Sequence, residues 1–502
     1  MNAGERSWRM SITATVMVLV LAFTVALGAL HGVRSDPGPG WGTAQLIETT
    51  DLGGAESPHV AVDGSGNAVV VWYQYDQPIY PAWSDIWSNR YVVGSGWGTA
   101  ELVETDAGGA TSNSPIVSVD GSGNAVAVWC QDVEGVPGAH IWSNRYVVGT
   151  GWGTTQLVET DNSGSAINPQ MSMDSSGNAV AVWMQSRDIY FDIWSNRYVV
   201  GTGWGASELI ETYDSVSSED PQVAVGGSGN AVAVWCQRDV SGRYDIWSNR
   251  YVVGSGWGTA ELIETNDSRN AGVPQVAVDG SGNAIAVWSL SNGPQYDISS
   301  NRYVVGSGWG TDELIETEDT WPAYGHQLAV DSSGNAVVMW EQPDNTRFNL
   351  WSNRYVVGTG WGVAQLFETN NVGFTGIGIH VLMDGSDNVF LVWSQYDGTH
   401  YNMWSNRYVV GTGWGTAELI ETNSLGGVSG LDVAVDSSGN VVAVWSHSDG
   451  TRDNVWANRY ESEEPAIPEF GTVIIPVLSV AAVFSVMRGK RKEICASPWK
   501  RP

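Results

Sequence analysis

Cysteine is nearly absent, with 3 in 502 residues, which excludes a disulfide-stapled scaffold and a thiolate-ligated metal site. Lysine is absent from the body of the chain: Lys490, Lys492 and Lys500 are the only three. Between Asp36 and Pro468 there are 14 Arg, no Lys and 51 acids, a formal charge of −37, so nucleic acid is excluded as a general partner. Charged residues are only 15% of the whole, too few for a coiled coil or a solvated tail. Histidine is sparse and scattered, at His31, His59, His140, His326, His380, His400 and His447. There is no His-Glu-x-x-His, no Gly-x-Ser-x-Gly and no paired-cysteine motif. What is abundant is 61 Gly and 27 Trp within a composition that is 42% hydrophobic, which points to an all-β fold with a large buried core.

The two ends differ in kind from the middle. Residues 1–35 carry Arg6 and Arg9 ahead of an uncharged apolar run, Met10 to Leu30, closed by small residues such as Ala26 and Gly28. This pattern is a secretory signal, or an uncleaved N-terminal anchor. Residues 461–471 form a linker ending in Pro468-Glu469-Phe470-Gly471. An apolar segment, 472–487, follows as a transmembrane helix, then a basic tail, 488–502, that belongs in the cytoplasm. This tripartite tail resembles the archaeal PEF-CTERM sorting signals. The resemblance implies processing by an archaeosortase-like enzyme and fixation at the cell surface, with the body of the protein outside. The residues beyond Lys492 depart from that pattern.

The middle is one unit written eight times over residues 40–460. Gly-Trp-Gly recurs with its Trp at 41, 97, 152, 204, 257, 309, 361 and 414. A second Trp ends an apolar run at 72, 129, 183, 235, 288, 340, 393 and 445. A third, in Trp-Ser-Asn-Arg-Tyr, lies at 87, 142, 194, 247, 351 and 404, with variants at Ser299 and Trp456-Ala457. A period near 50 means stacked supersecondary units rather than separate domains.

Each unit reads as four short strands, like Pro274–Val278, Ala284–Trp288, Asp245–Val253 and Thr259–Thr265. The Asp-x-Ser-Gly-Asn turn specifies a hairpin between the first two. The expected fold is a single eight-bladed β-propeller of four-stranded blades. The array opens on a fourth strand, Thr43–Thr49, and closes on a third, Asn454–Tyr460, so pairing the two closes the ring. The Val-Asp-x-x-Gly-Asn hairpin resembles the inner hairpin of NHL-type propellers, which implies no particular activity.

Constant and variable segments separate when the copies are compared. The Asp-x-Ser-Gly-Asn turn and the Gly-x-Gly-Trp-Gly connection hardly change and belong on one face. The variable loops share the other face, and a rigid scaffold with variable loops places recognition there. They carry Tyr80, Trp83, Tyr190, Phe191, Arg243, Tyr244, Trp321, Tyr324, Arg347, Phe348, His400, Tyr401 and Arg452. Aromatics interleaved with Arg and Asp suit a glycan or protein partner. The repeated Trp and Arg positions read as structural. The Asp-x-Ser-x-Asn spacing resembles the start of a calcium loop, but the later acidic ligand is missing and copy four has Gly226. It reads as a hairpin turn, so no metal or cofactor is expected. Asn266 opens the only N-glycosylation sequon.

The expectation drawn from these signals is a non-catalytic surface propeller that binds a glycan, an envelope component or a protein. Two alternatives stand beside it. One is an extracellular glycoside hydrolase or polysaccharide lyase using loop residues such as Asp188, Asp239, Arg243 and Arg347. The other is a structural envelope component.

Overall fold

The computed structural model describes residues 40–462 except 51–52, 78–82, 106–109, 134–137, 161–163, 213–215, 266–268, 294, 317–320, 345–346, 368–374 and 422–425. The two expected terminal helices, the PEF motif, the linker from residue 463 on, Tyr80 and Asn266 therefore lie outside the described residues, while Glu461, expected to open that linker, ends the last strand. Among the described residues there is no helix; every element is a strand.

The strands form six five-stranded antiparallel sheets and one ten-stranded sheet. The larger sheet is copies one and two, joined by a single parallel bridge between Ser84 and Thr111. Each copy has four strand layers, because the outermost strand is broken in two. In copy four the order is Ser218–Val225, Ala231–Arg238, Tyr244–Val252, then Gly256–Trp257 and Glu261–Leu262. The third strand pairs with both outer pieces. The sequence reading gave the outer layer one strand of seven residues. The structure leaves a gap around Gly258, whose N–H reaches Arg250 instead.

The seam pairs Gln45 with Ala457 and Leu46 with Trp456, joining the first described residues to the last copy. The third strand there, Asp453–Glu461, lies one residue from the expected position at either end.

Both turns behave as their residues require. The Asp63 carboxylate accepts N–H bonds from Ser65 and Asn67 at 2.8 and 3.0 Å, and Gly66 takes φ +80°. Asn67 Oδ1 then accepts from Val93 N at 3.0 Å, which ties the two constant turns to one end of the sheet.

The second strand of each copy is buried on both faces, as its unbroken apolar run demands. Its Trp is the largest core side chain, fully buried in seven of the eight copies. The repeated Arg packs over a Tyr ring of the next copy and also pairs with a repeated turn acid, as Arg407 does with Asp384 at 3.4 Å. Arg90 lies 5.2 Å from the Tyr146 ring centre, and Arg459 of the last copy lies 4.8 Å from Tyr91 of the first.

One feature of the first strands exceeded the expected Pro274–Val278 type of boundary. A bulge lets the strand begin earlier, at Asn270 in copy five and Ser218 in copy four. Its pivot has positive φ in every copy: Ser57, Ser114, Asn168, Asp220, Val273, Gly325, Gly378 and Gly430. Val273 is the misfit, a β-branched residue held at φ +52° while 57% exposed. An L-residue there costs about 1–2 kcal/mol, and Asn tolerates the conformation better than Val. Val273→Asn is therefore expected to raise unfolding free energy by about 1 kcal/mol. A lower denaturation midpoint would contradict this.

Candidate functional site

The extended first strand of copy four carries Glu219 one residue before the bulge pivot, Asp220. The second strand ends on Arg238, and after a short turn the third begins at Tyr244. These three side chains converge. Tyr244 Oη donates to Glu219 Oε1 at 2.9 Å, and Ser217 Oγ donates to the same oxygen at 3.3 Å. The Arg238 guanidinium lies over the Tyr244 ring, 4.7 Å from its centre.

Glu219 and Arg238 line a cavity of about 570 Å³ between copies three and four, together with Tyr190, Phe191 and Ser217. Ile189, 83% exposed, and the exposed Val240 complete its apolar rim. That size and mixture, apolar walls with a few converging polar groups, suits a small ligand or a sugar unit.

Burial raises the Tyr244 phenol pKa, Arg238 lowers it by hydrogen bonding, and the Glu219 carboxylate raises it; the net direction is up. Tyr244 is thus protonated at neutral pH. The arrangement holds a proton that can pass from a phenol to a carboxylate, beside a fixed cation that offsets a phenolate. Copy one has a related pair, Tyr73 Oη to Glu56 at 2.6 Å, where Tyr75 stands in place of an arginine.

Of the residues singled out in the sequence, Tyr190 and Phe191 line this cavity, and Tyr244 adjoins it through its bond to Glu219. Arg243 is nearby but pairs with Asp239 across the same turn at 3.2 Å. Hydrogen bonds from Ser241 and from Arg243 N hold Asp239 down at about 2, so it is no proton donor. Asp188 sits at φ +54° in another hairpin, and Arg347 bonds Asn349 in copy six at 3.0 Å. The structure does not assemble the set Asp188, Asp239, Arg243 and Arg347 as a catalytic group.

The remaining candidates are spread over other copies. Tyr324 and Phe348 join Tyr296 in an aromatic cluster, with ring centres 5.5 and 6.2 Å apart along the chain of contacts. Tyr401 packs on Tyr396 at 5.2 Å, and His400 Nδ1 contacts Thr399 Oγ1 at 3.1 Å. The backbone of Trp83 donates to Asp76, that of Trp321 accepts from Gln342, and Arg452 bonds Asn454.

Glu219, Arg238 and Ser217 were missed. The position of Arg238 is held by Tyr75, Asp132, Ser186, Ser291, Pro343, Tyr396 and Ser448 in the other copies, a variability readable in the sequence. Glu219 was hidden because the strand was read as starting after the bulge. Among the described residues, no group of three or more His, Cys, Asp or Glu is arranged to hold a metal ion.

No family model matches the chain, and no curated protein matches it. Solved structures do. A leech intramolecular trans-sialidase is 9% identical, with 84% of this chain and 94% of that one covered and a TM-score of 0.38. An α-L-arabinanase from Penicillium chrysogenum is 12% identical, covering 60% and 94%, with a TM-score of 0.38. An ulvan lyase, from a new polysaccharide lyase family, is 10% identical, covering 84% and 93%, with a TM-score of 0.43. The described residues are all-β and resemble the β-propeller sialidases. These neighbours are enzymes, which corrects the expectation of a protein without catalytic activity. That expectation leaned on missing linear motifs, whereas a site built from loops of different copies leaves no linear motif.

Proposed function

We propose that this chain is an extracellular carbohydrate-active enzyme, a glycoside hydrolase or polysaccharide lyase, working at the cavity between copies three and four. One observation carries the reading: the Tyr244 phenol bonded to Glu219 at 2.9 Å under the Arg238 guanidinium, at the edge of an aromatic-walled cavity. Glu219 takes the phenol proton as Tyr244 Oη attacks the anomeric carbon, the bond from that carbon to the glycosidic oxygen breaks, the departing oxygen takes the proton back from Glu219, and Arg238 offsets the charge on the phenol oxygen during the attack. Tyr190 and Phe191 supply flat apolar surface for the sugar.

The scaffold of this reading is one eight-bladed propeller. It is supported by the seam pairing at Leu46 and Trp456, and by Arg459 of copy eight stacking on Tyr91 of copy one as Arg90 stacks on Tyr146. The apolar segments at the two ends support export and attachment to the cell surface, with archaeosortase-type processing at the PEF motif.

The test is turnover of a polysaccharide panel by the full chain, with Tyr244→Phe and Glu219→Gln beside it. Each variant is expected to lose about 100-fold or more in kcat, the usual share of acid–base catalysis, while still binding polymer. Equal turnover by wild type and both variants, or no turnover of any polysaccharide, contradicts the reading.

A further inference from the structure

We propose that the end of the body carrying the constant turns is a docking surface for a lipid bilayer, seated on the headgroups with the cavity directed outward; the choice of partner rests on the surface attachment proposed above. Residues 36–468 carry 51 acids and 14 Arg, yet this end presents almost none of them. In the first hairpin turn of every copy the two residues after the opening Asp (Gly226 in copy four) are exposed, as Gly64 and Ser65 are, and they are Gly or Ser throughout. The Asp itself is buried, and its carboxylate is occupied by the turn's own donors: Asp63 accepts from Ser65 N, Asn67 N and Asn67 Nδ2. The other constant turn adds Val, Gly and Ser or Thr. In copies one to seven the second Val of Tyr-Val-Val-Gly, such as Val93, Val148 and Val253, is between 41% and 50% exposed.

Among the residues of these turns, Asp387 and Glu461 are the only charged ones that are not buried. The repeated Arg beneath them is already partnered, as Arg407 is by Asp384 and the Tyr460 ring. The opposite end is different: its loops between second and third strands expose Asp76, Asp188, Asp344, Asp397 and Asp449. The cavity opens among those same loops, at Ile189 and Val240. Loss of charge together with exposed apolar side chains is the signature of a surface that something covers.

The chain enters and leaves the body at this end. Ser462 N donates to Asn440 Oδ1 at 2.9 Å, as Val93 N does to Asn67, and the Trp41 ring meets that of Tyr460 at 5.7 Å. Residues 463–471 then lead to the apolar run 472–487, and residues 31–39 join the run ending at Leu30 to Gly40. Each connector, fully extended, reaches about 30 Å. A second copy stacked on this end would interpose strands like Tyr244–Val252, themselves about 30 Å long, and turns besides. The connectors are too short to pass it, which favours the bilayer as occupant. Electrostatics agree. Anionic headgroups repel an acidic body, and this orientation holds the exposed aspartates a strand's length away, well beyond the screening distance of about 8 Å.

Cys130 and Cys236 are buried, and burial raises their thiol pKa, so a Cys495→Ser chain labels only at an introduced cysteine. Val148→Cys, Val253→Cys and, at the opposite end, the fully exposed Val240→Cys are each labelled with bimane. The full chain is then placed one copy per phosphatidylcholine nanodisc containing a nitroxide-headgroup lipid. The labels at 148 and 253 are expected to be quenched at least about fivefold more than the label at 240, since a docked apolar surface sits about 5–10 Å into the headgroup boundary. Combining Val93→Glu, Val200→Glu and Val305→Glu is expected to abolish the difference, and Leu at the same three positions to keep it. Thermal unfolding checks that each variant is folded. Equal quenching at the two ends, stronger quenching at 240, or a difference that the Glu substitutions leave unchanged overturns the proposal. So does shielding of the 253 label from aqueous iodide that appears in detergent and grows with protein concentration, the mark of a second copy. A chain that enters the discs and shows no difference removes this inference and leaves the attachment reading standing; one that never enters them removes both.

Discussion

Trp235→Ala is expected to destabilise the protein by about 3–5 kcal/mol, as truncation of a fully buried Trp does. Trp235 is completely buried, within a cluster containing Val182, Ile193 and Ile210 of copy three and Ala231 and Ala233 of its own copy. Its loss therefore opens a cavity between two sheets at once. The indole is also tied down, because Nε1 donates to Gln237 Oε1 at 3.2 Å. In other copies the equivalent Gln reaches a buried Glu that follows the outer strand of the copy before it, as Gln74 does Glu48, Gln131 does Glu104 and Gln342 does Glu316.

Copy five breaks this chain, with Leu290 in place of Gln, and the Trp288 N–H is left without a hydrogen-bond partner. Comparing Trp235→Phe with Trp288→Phe isolates the polar part. The first strands a buried amide oxygen, whereas the second removes an unsatisfied donor. Denaturant unfolding should show Trp288→Phe to be the milder by about 1 kcal/mol. Equal losses would mean that the relay contributes nothing.

Acidification from pH 8 to pH 5 is expected to stabilise the protein. Glu211 is buried against the Asp192 carboxyl, and burial first, then that neighbour, holds its pKa well above the usual carboxylate range. Burial also pushes Glu341 and Glu421 up to about 7. A raised folded-state pKa means that the folded protein holds the proton longer than the unfolded chain. The native state then binds more protons, and stability falls as pH climbs from the ordinary value of 4.5 through the raised one. Each such group contributes up to about 1.4 kcal/mol per pH unit inside its window.

The turn acids have the opposite sign. Hydrogen bonds within their own turns hold Asp239, Asp397 and Asp449 below the ordinary range, so their contribution disappears in stronger acid. Stability should therefore peak near pH 4–5. Glu211→Gln, which keeps a protonated acid's shape and donor, should raise the melting temperature at pH 8 and flatten its rise toward pH 5. A melting temperature that climbs from pH 5 to pH 8, or a Glu211→Gln variant with the wild-type profile, would refute this.

Sequence periodicity reported the scaffold well, because burial of a strand on both faces leaves a local mark. Ala231-Val232-Ala233-Val234-Trp235 reads as a central strand from its apolar run alone, and Asp63-x-x-Gly66-Asn67 reads as a turn from its Asp and Gly. It reported the site poorly, since convergence of Glu219, Arg238 and Tyr244 depends on a bulge that no residue type at the pivot announces. Ser, Asn, Asp, Val and Gly all fill that pivot. The loop aromatics Tyr190, Phe191 and Tyr244 were visible as deviations between copies. Their partners Glu219 and Arg238 lie on strands, where the repeated burial pattern masks deviation between copies.

A crystal structure of the full-length Glu219→Gln protein soaked with an oligosaccharide of the polymer that the wild type cleaves is the most direct test. A sugar ring against Tyr190 and Phe191, with Tyr244 Oη within hydrogen-bond reach of the ring, is the predicted result. Saccharide bound at the Tyr296–Tyr324–Phe348 cluster with the copy-three cavity holding only water would contradict it.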